Sequence, residues 1–374
     1  MDESLEKRMM ARALELAARA GGRTSPNPMV GAVVFRGGRV IGEGWHHRCG
    51  TEHAERIALR KAGKQAAGAA MAVNLEPCAH HGRTPPCVEA IIQARIARVV
   101  VAMRDPNPLV RGRGLAALRG AGIRVEVGLM GAEARLLNEA FIHYITTGRS
   151  FAALKIAQSL DGGIALRPGL RTAVTSSHAL RFTHTLRSRY DAVLVGISTV
   201  LADDPLLNVR GIRSAVQPVR IVLDSSLRMP PDCRLAVTAK DFPTLVLYDP
   251  HSAESSRIEA LKARKVGLAP VEAAAESPGL LPPDEVLSIL AGRELTSVLV
   301  EGGASVATSF LKQGFIQRIH LFIAPMLMGR GGPLHALGEI GVTERTGPVR
   351  LRNLERKLLG PDIYITGRVS GPKR

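Results

Sequence analysis

The chain of 374 residues is long enough for two domains, and with 45% hydrophobic and 22% charged residues it can form packed cores. Its formal net charge of +17 is spread without a long basic run, and only 3% of the residues are aromatic, which favours anionic small molecules over nucleic acid as ligands. The presence of only four cysteines, with no apolar run long enough to span a bilayer, predicts a cytoplasmic protein without a disulfide framework or membrane segment.

The first part of the chain, residues 5–147, alternates strand and helix patterns. Strand patterns lie at 30–35, 39–44, 72–75, 98–101 and 123–127. The first two flank Gly37-Gly38, which predicts a β-hairpin. A helical pattern begins near His53 and ends near Gly63. Further helical stretches lie between the later strands, and this alternation indicates an α/β sandwich with a mixed sheet.

A short polar stretch at 146–150 predicts a boundary between two domains, residues 1–147 and 151–374. In the second domain strand patterns lie at 151–157, 192–195, 219–223, 244–248 and 297–300, and helical patterns at 178–189 and 303–313. This order predicts a second α/β domain with a mostly parallel sheet. Residues 249–285, rich in Ala, Glu and Pro, are predicted to be a surface-exposed variable stretch.

The most informative pattern is formed by His53, Cys78 and Cys87. One imidazole and two thiolates suit Zn²⁺, and three protein ligands leave a fourth position for water, as in catalytic zinc sites. Glu55, two residues after the histidine, can lie beside that water and carry its proton. This is the arrangement of the zinc-dependent base deaminases, whose signature is H-x-E followed by P-C-x-x-C. Here eight residues separate the two cysteines, which points to a different substrate from that of the closely spaced sites.

Two other functions use the same residues. A structural zinc site needs a fourth protein ligand, which Cys49 could supply, but it leaves Glu55 without a role. A nucleic-acid adenosine or cytidine deaminase would share the zinc site, but it usually has closely spaced cysteines and gives no reason for the second domain.

Two glycine-rich turns are candidate phosphate-binding sites. Residues 112–117 match the dinucleotide fingerprint G-x-G-x-x-G/A, but a proline-containing loop separates them from the preceding strand, so we reject a nicotinamide site there. Glu301-Gly302-Gly303 directly follows a strand and opens a helix, where free backbone amides can hold a phosphate. Taken alone, such a turn is more often only a tight connection.

The motifs occur in one series along the chain, at 27–31, 53–55, 75–78, 80–87, 105–108, 112–115, 154–162, 195–205 and 301–303. This series resembles the bifunctional riboflavin-biosynthesis deaminase–reductases over nearly the whole chain. The resemblance implies a cytidine-deaminase-like α/β/α sandwich followed by a dihydrofolate-reductase-like α/β domain. It also implies two reactions: deamination of 2,5-diamino-6-ribosylamino-4(3H)-pyrimidinone 5′-phosphate, then NADPH-dependent reduction of 5-amino-6-(5-phosphoribosylamino)uracil to the ribityl product.

For the deaminase, the resemblance implies that His53, Cys78 and Cys87 bind Zn²⁺ and that Glu55 shuttles the proton. The substrate contacts that it implies are Asn27, His80, Arg83, Asp105 and Asn107. Arg83 offers a cationic fork to the ribose phosphate, while the amides and the carboxylate can read a pyrimidine edge.

For the reductase, the cofactor contacts implied by the resemblance are Ala157, Ala173, Thr199, Asp203, Ser225, Gly303, Ala304 and Ser305. The implied substrate contacts are Lys155, Arg171, Arg187, Leu207, Arg210 and Glu301, with Arg187 and Arg210 suited to the phosphate. Ala173 departs from the family pattern, which has a tryptophan or another large residue there, so a contact to NADPH is lost or supplied elsewhere. The expected partners are a phosphorylated pyrimidine and further copies of the chain, with neither nucleic acid nor membrane.

Overall fold

A computed structural model describes residues 3–80, 85–108, 110–167, 169, 172–212, 216–273, 279–329, 334–345 and 347–370. The chain divides into two compact units, Met1–Gly148 and Arg149–Arg374. Within these described ranges, no helix combines the length and the apolar character needed to cross a membrane.

The first unit alternates helices and strands. Its elements in chain order are α1 (Glu3–Ala18), β1 (Gly31–Arg36), β2 (Arg39–Trp45), α2 (Ala54–Ala62), a 3₁₀ turn (Gly63–Ala66), β3 (Ala70–Val73), α3 (Cys87–Gln93), β4 (Arg98–Val101), α4 (Arg113–Gly120), β5 (Arg124–Val127), α5 (Gly131–Leu137) and α6 (Glu139–Thr147). In the described part of this unit, five strands form one sheet in the order β2-β1-β3-β4-β5. The predicted β-hairpin is confirmed, because β1 pairs antiparallel with β2, while β3, β4 and β5 run parallel.

Helices cover both faces of this sheet. Successive residues of a strand point to opposite faces, and accordingly Val33 and Ala72 pack with α1, whereas Val34 and Met71 pack with α2, α3 and α4. The result is two apolar cores separated by one sheet. The predicted α/β/α sandwich is confirmed, and the sheet leaves its strand ends free to carry a site.

The second unit contains the larger sheet. Its elements in chain order are β6 (Phe151–Ser159), β7 (Gly163–Ala165), α7 (Ser177–Arg187), β8 (Ala192–Gly196), α8 (Ile197–Asp203), β9 (Val219–Leu223), α9 (Arg234–Val237), β10 (Thr244–Tyr248), α10 (Ser255–Ala263), β11 (Gly267–Pro270), α11 (Pro283–Gly292), β12 (Ser297–Val300), α12 (Ala304–Lys312), β13 (Arg318–Ala324), β14 (Leu334–His335), β15 (Arg350–Leu359) and β16 (Asp362–Ser370). Among the described residues, the sheet has the order β11-β10-β9-β8-β12-β6-β13-β16-β15.

Most of this sheet is parallel, as predicted. The strands from β11 to β13 run in one direction, and β16 and β15 add an antiparallel pair at one edge. All four residues of β12 are buried between β8 and β6, which explains its unbroken apolar run, typical of a parallel strand covered on both faces.

The prediction for 249–285 was wrong in part. This stretch contains α10, β11 and the beginning of α11, and β11 pairs parallel with β10 at the edge of the sheet. Ala269 and Val271 are buried there. A four-residue edge strand that ends in proline carries little periodic signal, because only part of it faces the core.

Candidate metal centre and reductase site

The starts of α2 and α3 bring the predicted metal ligands together. His53 is the extended residue immediately before α2, and Cys87 is the first residue of α3. The Nδ1 atom of His53 lies 3.6 Å from Cys78 Sγ and 3.3 Å from Cys87 Sγ, and all three ligand atoms lie within 4.8 Å of one another. In the described ranges, Cys49 does not join this group.

This donor set fits zinc. A tetrahedral Zn²⁺ with Zn–N near 2.0 Å and Zn–S near 2.3 Å separates its nitrogen and sulfur ligands by about 3.5 Å, which matches both measured distances. The side chains of Cys78 and Cys87 are hydrogen-bonded to each other, and this bond lowers the pKa of Cys78 and raises that of Cys87, with burial adding to the rise. A soft cation held by the two sulfurs would displace the thiol protons.

Glu55 contributes a buried carboxyl group beside the cluster. It lies in the first turn of α2, is 3% exposed and has a hydrogen bond with Cys87. Burial raises the pKa of its carboxyl group, with the neighbouring Cys78 as the next contribution in the same direction. A carboxylate with a raised pKa accepts a proton more readily near neutral pH, which is the property that a proton carrier needs.

Asn27 is held beside the metal centre by His46, a residue that no sequence motif had indicated. Asn27 Nδ2 donates to Nε2 of His46 at 3.2 Å, and Nδ1 of His46 faces the Glu52 carbonyl at 3.3 Å. His46 is 2% exposed, and its ring meets that of His53 edge-on at 5.3 Å. Burial lowers the pKa of His46, which agrees with a neutral imidazole. The only indication in the sequence was its position, directly after a strand and seven residues before His53.

Asp105 lies close enough to interact electrostatically with Cys78 and His80. Burial is the main reason that its pKa is raised, and its carboxylate accepts the backbone N–H of Asn107 at 2.8 Å. The structure therefore brings Asp105 and Asn107 into one turn near the metal ligands. Arg83 lies outside the described residues.

In the second unit, Arg187 and Glu301 form a paired fork. Arg187 Nε donates to Glu301 Oε1 at 2.6 Å and Nη2 donates to Oε2 at 3.0 Å, while Nη1 donates to the Asn208 carbonyl at 3.2 Å. Lys155 interacts with both side chains, and burial lowers its pKa. The three predicted substrate residues thus form one partly buried charge cluster, in which much of the Arg187 fork is already used within the protein.

The loop after α8 carries Leu207 and Arg210. Leu207 is buried with φ +50°, whereas Arg210 is exposed. His184, not predicted as functional, accepts the Arg210 backbone N–H on Nδ1 at 3.3 Å, and burial lowers its pKa. It stands on α7 one turn before Arg187, so one helix face supports this loop. Arg171 lies outside the described residues.

The predicted cofactor residues other than Ala173 follow the carboxyl ends of neighbouring strands or lie close to them. Ala157 lies near the end of β6, Thr199 and Asp203 lie on α8 after β8, Ser225 follows β9, and Gly303, Ala304 and Ser305 follow β12. These strands are neighbours, and the carboxyl ends of parallel strands form the usual ligand crevice of open α/β sheets. Gly302 must be glycine, since a Cβ there would lie 2.5 Å from the Gly196 backbone nitrogen. Ala173 is exposed.

Family models divide the chain in the same way. Residues 3–103 match the cytidine and deoxycytidylate deaminase zinc-binding region, and residues 151–365 match the RibD C-terminal domain. Together with the fold and the donor set, these matches define a zinc-binding deaminase domain followed by a reductase domain. Such a pair of domains implies zinc and a nicotinamide cofactor.

Full-length relatives give the family. The chain is 42% identical to the riboflavin biosynthesis protein RibD of Aquifex aeolicus, over 98% of this chain and 99% of that protein, and 41% identical to RibD of Escherichia coli, over 95% and 97%. Acinetobacter baumannii RibD has a similar structure, with a TM-score of 0.87 at 34% identity over 99% of this chain and 100% of that one. A diaminohydroxyphosphoribosylaminopyrimidine deaminase/5-amino-6-(5-phosphoribosylamino)uracil reductase from Thermotoga maritima gives a TM-score of 0.83 at 34% identity, over 98% and 99%. The chain belongs to the RibD family.

Proposed function

We propose that the chain carries out two steps of riboflavin biosynthesis. Residues 1–147 deaminate 2,5-diamino-6-ribosylamino-4(3H)-pyrimidinone 5′-phosphate, and residues 151–374 reduce 5-amino-6-(5-phosphoribosylamino)uracil with NADPH. The observation that carries the proposal is the convergence of one imidazole, two thiols and the buried carboxyl of Glu55 in the first unit. The Thermotoga relative, named for both activities, supports the pairing with the second unit.

In the deaminase, His53, Cys78 and Cys87 would hold zinc. When bound, zinc lowers the pKa of a water ligand to about 7 and so makes a nucleophile available at neutral pH. Glu55 accepts one proton of the attacking water and passes it to the ring nitrogen. It then carries the second proton of that water to the amino group, which leaves as ammonia. Its burial excludes bulk water from this transfer.

The substrate is oriented by polar groups around that centre. Asn27, fixed by His46, offers its amide to the pyrimidine edge. Asp105 and Asn107, which share one turn, offer a carboxylate and a second amide. Arg83, within the spacer between the cysteines, offers a cationic fork to the ribose phosphate, and His80 in the same spacer adds a further polar contact. The long spacer accounts for a phosphorylated substrate in place of a free base.

In the reductase, NADPH supplies the hydride when bound. We propose that it lies along Ala157, Thr199, Asp203, Ser225 and 303–305, with the small side chain of Ala173 beside it. The substrate lies against Lys155, Arg171, Arg187, Leu207, Arg210 and Glu301. Lys155 is a partly buried ammonium of lowered pKa, and such a group can give a proton to the sugar oxygen as the ribosyl ring opens. Arg210 is exposed and pairs with no carboxylate among the described contacts, so it is a better phosphate ligand than Arg187, which pairs with Glu301.

We also infer a homo-oligomer that acts on small molecules and not on nucleic acid. Leu354 and Leu358 on the edge strand β15 are 63% and 72% exposed, and Ile363 on its partner strand is 40% exposed. Apolar side chains on a sheet edge favour pairing with another chain. The cysteines are sparse and form no disulfide among the described residues, which supports the proposed cytoplasmic location.

Glu55→Gln tests the deaminase assignment. We expect ammonia release to fall by about 10²- to 10⁴-fold, the usual contribution of a general acid–base group, with one zinc per chain retained and NADPH oxidation on supplied aminouracil phosphate unchanged. Glu52→Gln is the matched control, since Glu52 lies in the same segment but pairs with Arg60 at the surface. Loss of zinc from Glu55→Gln, or full ammonia release, would contradict the role of Glu55.

A further inference from the structure

A buried carboxylate joins the metal-ligand segment to two distant parts of the chain. Glu76, two residues before Cys78, is 5% exposed and accepts four backbone N–H groups. Oε2 accepts those of Asp105 at 3.1 Å and Gly112 at 3.0 Å, and Oε1 accepts those of Gly114 at 3.0 Å and Leu115 at 3.3 Å. The backbone of Glu76 itself donates to the Met103 carbonyl at 3.0 Å.

These contacts explain why glycines occur at positions 112 and 114, where the sequence matches the dinucleotide fingerprint. Gly112 adopts φ +82° just before α4, and a Cβ on Gly114 would overlap the Pro77 carbonyl oxygen. The start of α4 therefore packs directly against the peptide that precedes Cys78. The amides exposed by this turn bind a carboxylate of the protein itself, in the place where a fingerprint turn would bind pyrophosphate.

The carboxylate of Glu76 also holds the turn that contains Asp105 and Asn107. Asp105 donates its N–H to Glu76 and accepts the N–H of Asn107. The contacts thus run without a break from the segment of Cys78 through Glu76 to both residues of that turn. Hydrogen bonds to an ionised acceptor are shorter and stronger than neutral ones, and buried polar groups lose their other partners on folding.

We propose that Glu76 is a positioning residue of the deaminase, which fixes the turn of Asp105 and Asn107 relative to the metal ligands. The proposal rests on the proposed function, in which this turn reads the pyrimidine edge. Glu76 does not touch the reacting atoms, so its removal changes where the substrate sits before it changes the chemistry.

Glu76→Gln tests this role. Whichever oxygen the amide nitrogen replaces, two backbone N–H groups then face a donor, so either the turn at 105 or the start of α4 is released. We expect KM for the diaminopyrimidine phosphate to rise about 10- to 100-fold, in the range found when the partners of metal-site residues are removed. We expect kcat to change less, zinc to stay at one per chain, and amide hydrogen exchange to accelerate in the peptide 104–116.

Three comparisons make the test specific. Glu43→Gln, a glutamate of the same unit that pairs with Arg12, is expected to match the wild type in KM and in exchange of 104–116. Glu76→Asp keeps the carboxylate and is expected to lie between wild type and Glu76→Gln. It carries the test alone if Glu76→Gln does not fold. Reduction of supplied aminouracil phosphate serves as the internal measure of intact enzyme.

The outcomes distinguish a failure of the proposed role of Glu76 from a failure of the proposed function. Unchanged KM, or unchanged exchange in 104–116, would overturn the role of Glu76. So would loss of zinc from both variants, because Glu76 would then act through the metal ligands. A wild-type chain that releases no ammonia would overturn the proposed function instead, and the exchange measurement would still decide whether Glu76 holds the turn.

Discussion

Breaking the pair of Arg187 and Glu301 should destabilise the second unit strongly. The two side chains are 11% and 6% exposed and are joined by hydrogen bonds of 2.6 and 3.0 Å. Removing one partner of such a buried pair leaves an uncompensated charge, at a cost of about 3–5 kcal/mol. Lys155 decides which change costs more. Arg187→Met leaves Glu301 with one cation, whereas Glu301→Gln leaves two cations together, so we expect the larger loss from Glu301→Gln.

Urea unfolding of the full chain can measure these losses. Trp45, the only tryptophan in the sequence, lies in the first unit, so its fluorescence follows that unit, and the remaining change in far-UV ellipticity follows the second. The double variant should cost less than the sum of the single ones by about 2 kcal/mol, because it leaves only the charge of Lys155, with neither an unpaired arginine nor an unpaired carboxylate beside it. Additivity within about 0.5 kcal/mol would refute the reasoning and show that the pair contributes nothing as a unit.

Two further predictions concern the second unit. Gly302→Ala places a Cβ 2.5 Å from the Gly196 nitrogen, so NADPH oxidation should be lost at a stability cost of about 1–3 kcal/mol while ammonia release persists; a fully active reductase would contradict the required close approach. His320 lies 2.7 Å from the hydroxyls of both Tyr190 and Tyr364, and burial lowers its pKa to about 3. Below pH 6.5 the unfolded chain binds a proton that the folded one does not, so stability falls as the pH drops from 6.5 towards 3, by about 2 kcal/mol at pH 5. His320→Asn should remove that share of the pH dependence in urea titrations at pH 5 and 7.5, and an unchanged slope would exclude His320 as its source.

The metal centre was predictable because its signals are local. His53 and Glu55 lie two residues apart at a helix start, and the cysteines are separated by a spacer of known composition. The partners of Glu76 were not predictable, since its four donors lie 29 to 39 residues further on. Backbone N–H groups are also the same in nearly all residue types, so the sequence does not show which of them will contact Glu76. Only the folded structure shows these contacts.

The reductase site shows a different limit. The family resemblance implied that Arg187 and Glu301 contact the substrate. In the structure they bind each other, although 114 positions separate them in the sequence. The edge strand β15 escaped prediction because most of its residues are exposed and its charges fall on both faces, which removes the alternation that marks a half-buried strand. Residue types indicated the chemistry of this unit, whereas its charge pairing required the tertiary structure.

The most direct test follows two products separately in the wild-type full chain. With the diaminopyrimidine phosphate and NADPH supplied together, we predict ammonia release first, then an equal amount of NADPH oxidised. Removal of zinc by a chelator should stop ammonia release while leaving NADPH oxidation on supplied aminouracil phosphate unchanged. Ammonia release from cytidine or tRNA in preference to the diaminopyrimidine phosphate, or the absence of NADPH oxidation by well-folded protein, would contradict the account.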